Sequence, residues 1–245
     1  MTDTGERARN GGLGARTGTD GRQSCRLAGP FSCLTPLRVT LAACFLIAGG
    51  DEGTAAFFRT FRASHPFAAD VFPRFSRYGN IPFYAIYAHI FYRTARRRRT
   101  IELRFVLCHL ATPIMLLLVV DAVKIWGGRP RPGVAGECVP LTLDRAQHSF
   151  PPNHMTETIF IVTALGRRFG NRPFSAACGL WAVAMGLAKL CLGRHHPTDL
   201  LASAVLGSFG AYMAWRFSAP GPERSPAAAV SCLRACRQIN LNATL

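Results

Sequence analysis

Lysine is nearly absent from this sequence. The 29 basic residues include only two lysines, Lys124 and Lys189, and against 13 acidic residues they leave a formal net charge of +16. A chain that uses arginine almost throughout has kept an ammonium at two positions. No CxxC pair occurs among the nine cysteines, which are odd in number and scattered, so neither a disulfide framework nor a zinc site is indicated. There is no internal repeat and no recognisable nucleic-acid motif, and most arginines fall between apolar stretches, which argues against a nucleic-acid partner. What is plentiful is apolar. With 49% hydrophobic and 17% charged residues over 245 positions, the chain is no disordered polymer.

Residues 1–30 are rich in Gly, Arg and Thr without apolar periodicity, and read as a disordered basic arm. The apolar stretch 31–50 is too long and too far from the start for an ordinary signal peptide and has no A-x-A site after it, so it reads as a membrane anchor interrupted by Arg38. Five more apolar stretches follow, at 78–92, 105–120, 154–165, 174–188 and 200–215. Most fall short of the roughly 20 residues that cross a bilayer. The shortfall coincides with polar residues: Asp121 and Lys124 close the third stretch, Lys189 closes the fifth, and His154 with Glu157 opens the fourth. Spans that run through these residues carry charge at a cost of roughly 2.5–3.5 kcal/mol near mid-membrane, so the residues are functional suspects.

Arginine placement sets the orientation. Arg93, Arg96, Arg97, Arg98, Arg99 and Arg104 lie between the second and third spans, and Arg167, Arg168 and Arg172 between the fourth and fifth. Both connections are then cytoplasmic, as are both termini, and the connections 51–77, 125–153 and 191–199 face outward. The first of these alternates apolar and polar residues at helical spacing and is expected along the interface. The domain expectation is an arm over 1–30, a six-span unit over 31–217 and a disordered cytoplasmic tail over 218–245.

This topology sends three polar clusters to one surface: DAVKIWGGRPRPG, HSFPPNHMTE and AKLCLGRHHPTDLLA. They bring Lys124, Arg131, His154, Lys189, His195 and Asp199 together. Three cations, two imidazoles and a carboxylate suit the holding of a phosphate dianion while a histidine attacks phosphorus, a reaction that needs mostly positioning and charge neutralisation. Fixed cations supply this without a metal or other cofactor.

The three clusters resemble the tripartite motif of the type 2 phosphatidic acid phosphatase superfamily, which is related to the vanadium haloperoxidases. Its pattern is K-x-x-x-x-x-x-R-P, then P-S-G-H, then S-R-x-x-x-x-x-H-x-x-x-D. Lys124, Arg131 and Pro132 match the first element in full. Pro151, Pro152, Asn153 and His154 keep the proline and histidine of the second but replace Ser-Gly, and Ala188, Lys189, His195 and Asp199 fill the third with Ala-Lys in place of Ser-Arg. The resemblance implies an all-α, six-span transmembrane bundle with a haloperoxidase-like core. It also implies roles. His195 would be the nucleophile that forms a phosphohistidine, Asp199 would orient its ring, and His154 would protonate the departing alkoxide. Lys124, Arg131 and Lys189 would clamp the phosphate, with Arg131 able to bond two oxygens at once. Pro152 removes a hydroxyl and a backbone donor from this loop, and Asn153 returns a side-chain amide toward the phosphate. That change bears on substrate preference more than on the chemistry.

His65, His89, His109 and His148 fall outside the pattern and are expected to be structural. Arg129 and Arg194 are expected as rim charges. His196 is a rival nucleophile, disfavoured because Asp199 lies three residues on instead of four. Glu157, one turn below His154, is placed either to tune that acid, to meet a cationic headgroup or to make a structural hydrogen bond, and Asp121 is spaced to pair with Lys124 across one turn. The sequon at Asn242 falls on the cytoplasmic side and is discarded. The reading is a membrane lipid phosphatase whose substrate is phosphatidic acid, phosphatidylglycerol phosphate, a polyprenyl diphosphate or a lipid A phosphate. A phosphotransferase of the same architecture, an inactive structural membrane protein and a small-ion transporter are its rivals; the last is disfavoured because the charges gather at one face. The arginine-rich composition points to a GC-rich bacterial genome, an inner-membrane location and a periplasmic site.

Overall fold

The computed structural model describes residues 32–97 and 100–218. The arm over 1–30, the tail beyond Ser218 with Cys232 and Cys236, and the sequon lie outside the described residues. Among those described, the chain is all-helical, with eight α-helices: α1 (Thr35–Ile47), α2 (Gly50–Ser64), α3 (Pro66–Tyr78), α4 (Ile81–Arg97), α5 (Thr100–Gly127), α6 (Asn153–Phe169), α7 (Arg172–Cys191) and α8 (Pro197–Ser218). The six apolar stretches centre on α1, α4, α5, α6, α7 and α8. The connection 51–77 is itself helical and forms α2 and α3, with Pro66 opening α3.

Among the described residues, two helices are long and apolar enough to cross a bilayer, α5 over Leu103–Gly127 and α7; α1 and α2, bent by 93° at their junction, make a third when taken as one path. Both α4 and α6 stop at 17 residues, which at 1.5 Å per residue is about 25 Å, below the roughly 30 Å of hydrocarbon. Almost all of α6 from Met155 to Gly166 is buried. It is the central helix, sheathed by protein, which is why it tolerates Thr156, Thr158 and Thr163 in its interior.

α6 packs most closely on α8. A Cβ on Gly207 of α8 would lie 2.5 Å from the Thr156 carbonyl oxygen and 2.8 Å from Ile159 Cβ, so glycine is what allows the two backbones to approach. Leu34, just before α1, and Leu37 and Leu41 of α1 close the core, and Met155, Ile159, Phe160, Met185 and Leu200 fill it. The short connections α6–α7 and α7–α8 make α5 to α8 run alternately up and down. The C-terminal ends of α5 and α7 and the N-terminal ends of α6 and α8 therefore meet at one face. At the other face Arg167 lies 3.7 Å from the centre of the Trp215 ring and Arg168 lies 4.4 Å from that of Phe105.

Candidate active site

The residues predicted from the three clusters sit at the shared face, on six different supports. Lys124 and Lys189 occupy the last turns of α5 and α7, where the helix dipole favours a cation. Asn153 and His154 open α6, and Asp199 lies in the first turn of α8. Arg131 belongs to the long α5–α6 connection and His195 to the short α7–α8 one. The long connection folds back on itself: Arg131 N donates to Ala146 O at 3.0 Å, Val139 N to Gly128 O at 2.9 Å and Ser149 N to Arg129 O at 3.0 Å. Gly128 has φ +50, and a Cβ there would fall 1.7 Å from the Val139 carbonyl oxygen, so the fold-back requires glycine.

Six of the seven predicted residues, Lys124, Arg131, Asn153, His154, Lys189 and His195, line one cavity of about 550 Å³. Asp199 lies behind it, fully buried. The expectation that Asp199 bonds the His195 ring is replaced by a relay through Ser149. The Ser149 hydroxyl donates to Asp199 Oδ2 at 2.5 Å and the Ser149 carbonyl oxygen lies 2.6 Å from His195 Nδ1. Asp199 Oδ2 also accepts from His196 N at 2.8 Å. A carboxylate at the first turn of α8 serves the backbone next to it before it can reach a side chain four residues back, and this is the reason for the difference. Because a carbonyl oxygen only accepts, Nδ1 carries the proton and Nε2 keeps its lone pair. Burial pushes the His195 pKa down to about 3; the Ser149 carbonyl opposes the drop, and Lys189, Arg131 and Lys124 add to it. The ring is neutral at any ordinary pH.

His154 stands in contrast, with its side chain 63% exposed and its Nδ1 3.7 Å from Glu157 Oε2. Glu157 accepts from Asn80 Nδ2 at 3.1 Å and from the Tyr84 hydroxyl. It is thus both a structural acceptor and a neighbour of His154. Asn153 does not present a free amide to the cavity. Its Oδ1 accepts from Lys124 Nζ and its Nδ2 donates to Asp121 Oδ1 at 2.7 Å, while Asp121 and Lys124 are 3.7 Å apart. Lys189, only 3% exposed, donates to Ser76 Oγ at 2.5 Å and Ser76 O at 3.3 Å from α3.

Arg129 is no rim charge. It bonds Asp199 Oδ1 at 2.5 Å, Asp51 Oδ2 at 2.7 Å and Thr198 Oγ1 at 2.8 Å. Burial opposes its charge, but Asp199 and Asp51 outweigh burial and hold its pKa above the ordinary arginine value. Arg194 does line the cavity, with Arg145 and His148 beside it. Burial first, then repulsion from Arg194 and Arg145, lowers the Arg131 pKa from its ordinary value. His148, expected to be structural, lines the cavity with its Nε2 2.9 Å from Thr142 O. His196 is 4% exposed and does not line the cavity, which removes it as a rival nucleophile. His109 bonds Phe105 O at 2.7 Å and stacks on the Phe105 ring, and His65 bonds Phe61 O at 2.9 Å, as structural histidines do.

Sequence reasoning missed Ser149, Asp51, Ser76 and Arg145. Ser149 and Arg145 lie inside the polar clusters or their connection, but a serine or arginine there carries no spacing signal. Asp51 and Ser76 come from α2 and α3, and nothing local marks them.

Residues 102–220 match the model of the PAP2 superfamily, a segment that contains all seven predicted site residues and excludes Asp51 and Ser76. Among curated proteins, the chain is 32% identical over 89 residues to an undecaprenyl-diphosphatase of Bacillus subtilis, over 36% of this chain and 45% of that protein. It is 34% identical over 64 residues to a lipid A 4'-phosphatase of Bacteroides thetaiotaomicron, over 26% of this chain and 28% of that protein. The chain therefore spans less than half the length of these relatives. No solved structure matches it.

Proposed function

Through residues 102–220 the chain belongs to the PAP2 superfamily, and from that premise we propose that it is an integral membrane lipid phosphatase working through a phosphohistidine on His195. The observation that carries the reading is the His195 ring itself: neutral, anchored through Nδ1 to Ser149, and set in a cavity wall with Lys124, Arg131 and Lys189. Nε2 attacks phosphorus in line with the ester oxygen. The three cations neutralise the equatorial oxygens as charge develops, and they fill the place that a metal takes in other phosphatases. His154 gives its proton to the departing oxygen and, neutral after that step, accepts a proton from the water that hydrolyses the phosphohistidine, which restores it. Glu157, with Oε2 3.7 Å from His154 Nδ1, positions that ring. Asp199 acts at one remove, fixing Ser149 and the His196 amide so that the His195 ring keeps its tautomer.

The substrate is a lipid phosphomonoester or diphosphate, with a polyprenyl diphosphate and a lipid A phosphate favoured by the names of the two relatives. The six helices α1, α4, α5, α6, α7 and α8 span a bacterial inner membrane with the cavity on the periplasmic face. Cys138 is exposed in the α5–α6 connection, so a membrane-impermeant thiol reagent should label it on intact cells; protection there with labelling only after lysis reverses the topology. The functional test is phosphate release by the purified, detergent-solubilised protein across a panel of lipid phosphates. Release from at least one lipid, lost in His195→Ala, is expected. Transfer of the phosphate to a lipid alcohol in place of release assigns the protein as a phosphotransferase instead.

A further inference from the structure

We propose that the groove between α5 and α6 holds the hydrocarbon chain of the molecule whose phosphate occupies the cavity, which rests on the lipid phosphatase reading. Pro113, Ile114, Leu116, Leu117 and Val120 lie on one face of α5 and, with the first turns of α6, enclose a recess of about 140 Å³. From Pro113 to Val120 the helix rises about 10 Å, so the recess runs along the chain axis of a membrane lipid. It is preformed: Val120 is buried at its floor, and Leu116 abuts α8 at Gly210, where a Cβ would come within 2.4 Å of Leu116 Cδ1. Ile114 and Leu117 form an open rim, 63% and 45% exposed.

The occupant follows from continuity with the cavity. Asn153 lines both spaces, and Glu157 closes the polar end of the groove. His154, next to Asn153 on α6, lines the cavity beside it. A phosphate held by Lys124, Arg131 and Lys189 then has its ester oxygen at His154 and its first methylenes against Val120 and Leu117. Hydrocarbon is also the only part of such a substrate that an aliphatic wall facing the membrane can recognise, because it offers contact area and no hydrogen bonds.

The test compares a long-chain lipid phosphate with the soluble ester p-nitrophenyl phosphate. Leu117→Trp should fill the groove and lower the ratio of their kcat/KM values by about tenfold or more, the loss expected when two or so methylenes lose contact. Leu118→Trp, on the same helix but outside the lining, should leave the ratio unchanged. An unchanged ratio in Leu117→Trp, or an equal fall in Leu118→Trp, overturns the proposal. A second readout does not depend on turnover. A lipid phosphate bearing a diazirine near the head of its chain should label Ile114, Leu117 or Thr156, in His195→Ala as in the native protein, and unlabelled lipid phosphate should displace it better than the corresponding neutral alcohol. Labelling confined to other faces, or equal displacement by the alcohol, overturns the groove assignment. Native protein that releases no phosphate from any lipid overturns the phosphatase reading, while the labelling pattern still decides the groove.

Discussion

The two sides of the cavity are built differently. On the α8 side His195, Ser149, Asp199, Arg129, Thr198 and Asp51 form a chain of hydrogen bonds that runs from the cavity wall into protein, with Ser149 and Asp199 fully buried. On the α5–α6 side His154 is exposed, Asp121 is 49% exposed, and Lys124 is held by a side-chain amide and a carboxylate near the surface. The first side fixes one tautomer and one ring orientation. The second leaves the His154 ring open to solvent. A nucleophile benefits from the first condition and a general acid, which must be reprotonated every cycle, from the second.

The comparison predicts its largest effects where the two sides meet the substrate. His195→Ala should lower kcat by about a thousandfold or more, and His154→Ala by about 10²–10⁴-fold, both measured as phosphate release with the helical content unchanged by circular dichroism. A His195→Ala protein that works near the native rate breaks the assignment of the two sides.

Stability should separate them next. Arg129→Ala leaves the buried Asp199 and the partly buried Asp51 without their cation and should cost about 3–5 kcal/mol, read as a fall in thermal midpoint in detergent. Lys124→Ala, on the open side, should cost activity with little change in the midpoint. Equal destabilisation by both would erase the distinction between a buried relay and an open wall.

Acid sharpens the contrast further. The folded pKa of His195 is depressed to about 3 from 6.5. The unfolded chain therefore takes up this proton first as pH falls. Its contribution to stability is complete above pH 6.5 and is lost progressively down to about pH 3. The thermal midpoint should fall across that window, and His195→Ala should flatten the fall. A midpoint as steep in the variant as in the native protein would place the acid sensitivity elsewhere.

The smallest effect belongs to the altered second motif. Pro152→Ser with Asn153→Gly frees Lys124 from the Asn153 amide and restores a hydroxyl and a flexible turn. One regained hydrogen bond to a charged oxygen is worth about 1.5–3 kcal/mol, less what the loss of the Asp121–Asn153–Lys124 chain costs, so the preference between two headgroups should shift by about tenfold or less. The readout is the ratio of their kcat/KM values. No change in ratio or rate would mean that Asn153 serves only to tie α6 to α5.

The helices and the convergence of the motif residues were legible because charge inside apolar stretches is costly and therefore informative. In the sequence, the expected alternation of cytoplasmic and outward connections is enough to carry Lys124, His154 and His195 to one end. The relay was not legible. The motif pairs Asp199 with His195, yet its carboxylate is taken by Arg129, Ser149 and the His196 amide. The sequence points the Asn153 amide at phosphate, yet both ends of that amide are bound to α5. Such pairings depend on how the long α5–α6 connection folds back, and a loop with few periodic residues leaves no pattern from which that path can be derived. Asp51 and Ser76 reach the site from α2 and α3 through tertiary packing alone.

The claim that His195 is the nucleophile and His154 the acid is tested most directly by rapid-quench mapping with a radiolabelled lipid phosphate. During turnover the account predicts an acid-labile, base-stable phosphate on the peptide that carries His195, absent in His195→Ala. Label on the peptide carrying His154, or turnover with no labelled peptide at any quench time, would contradict it.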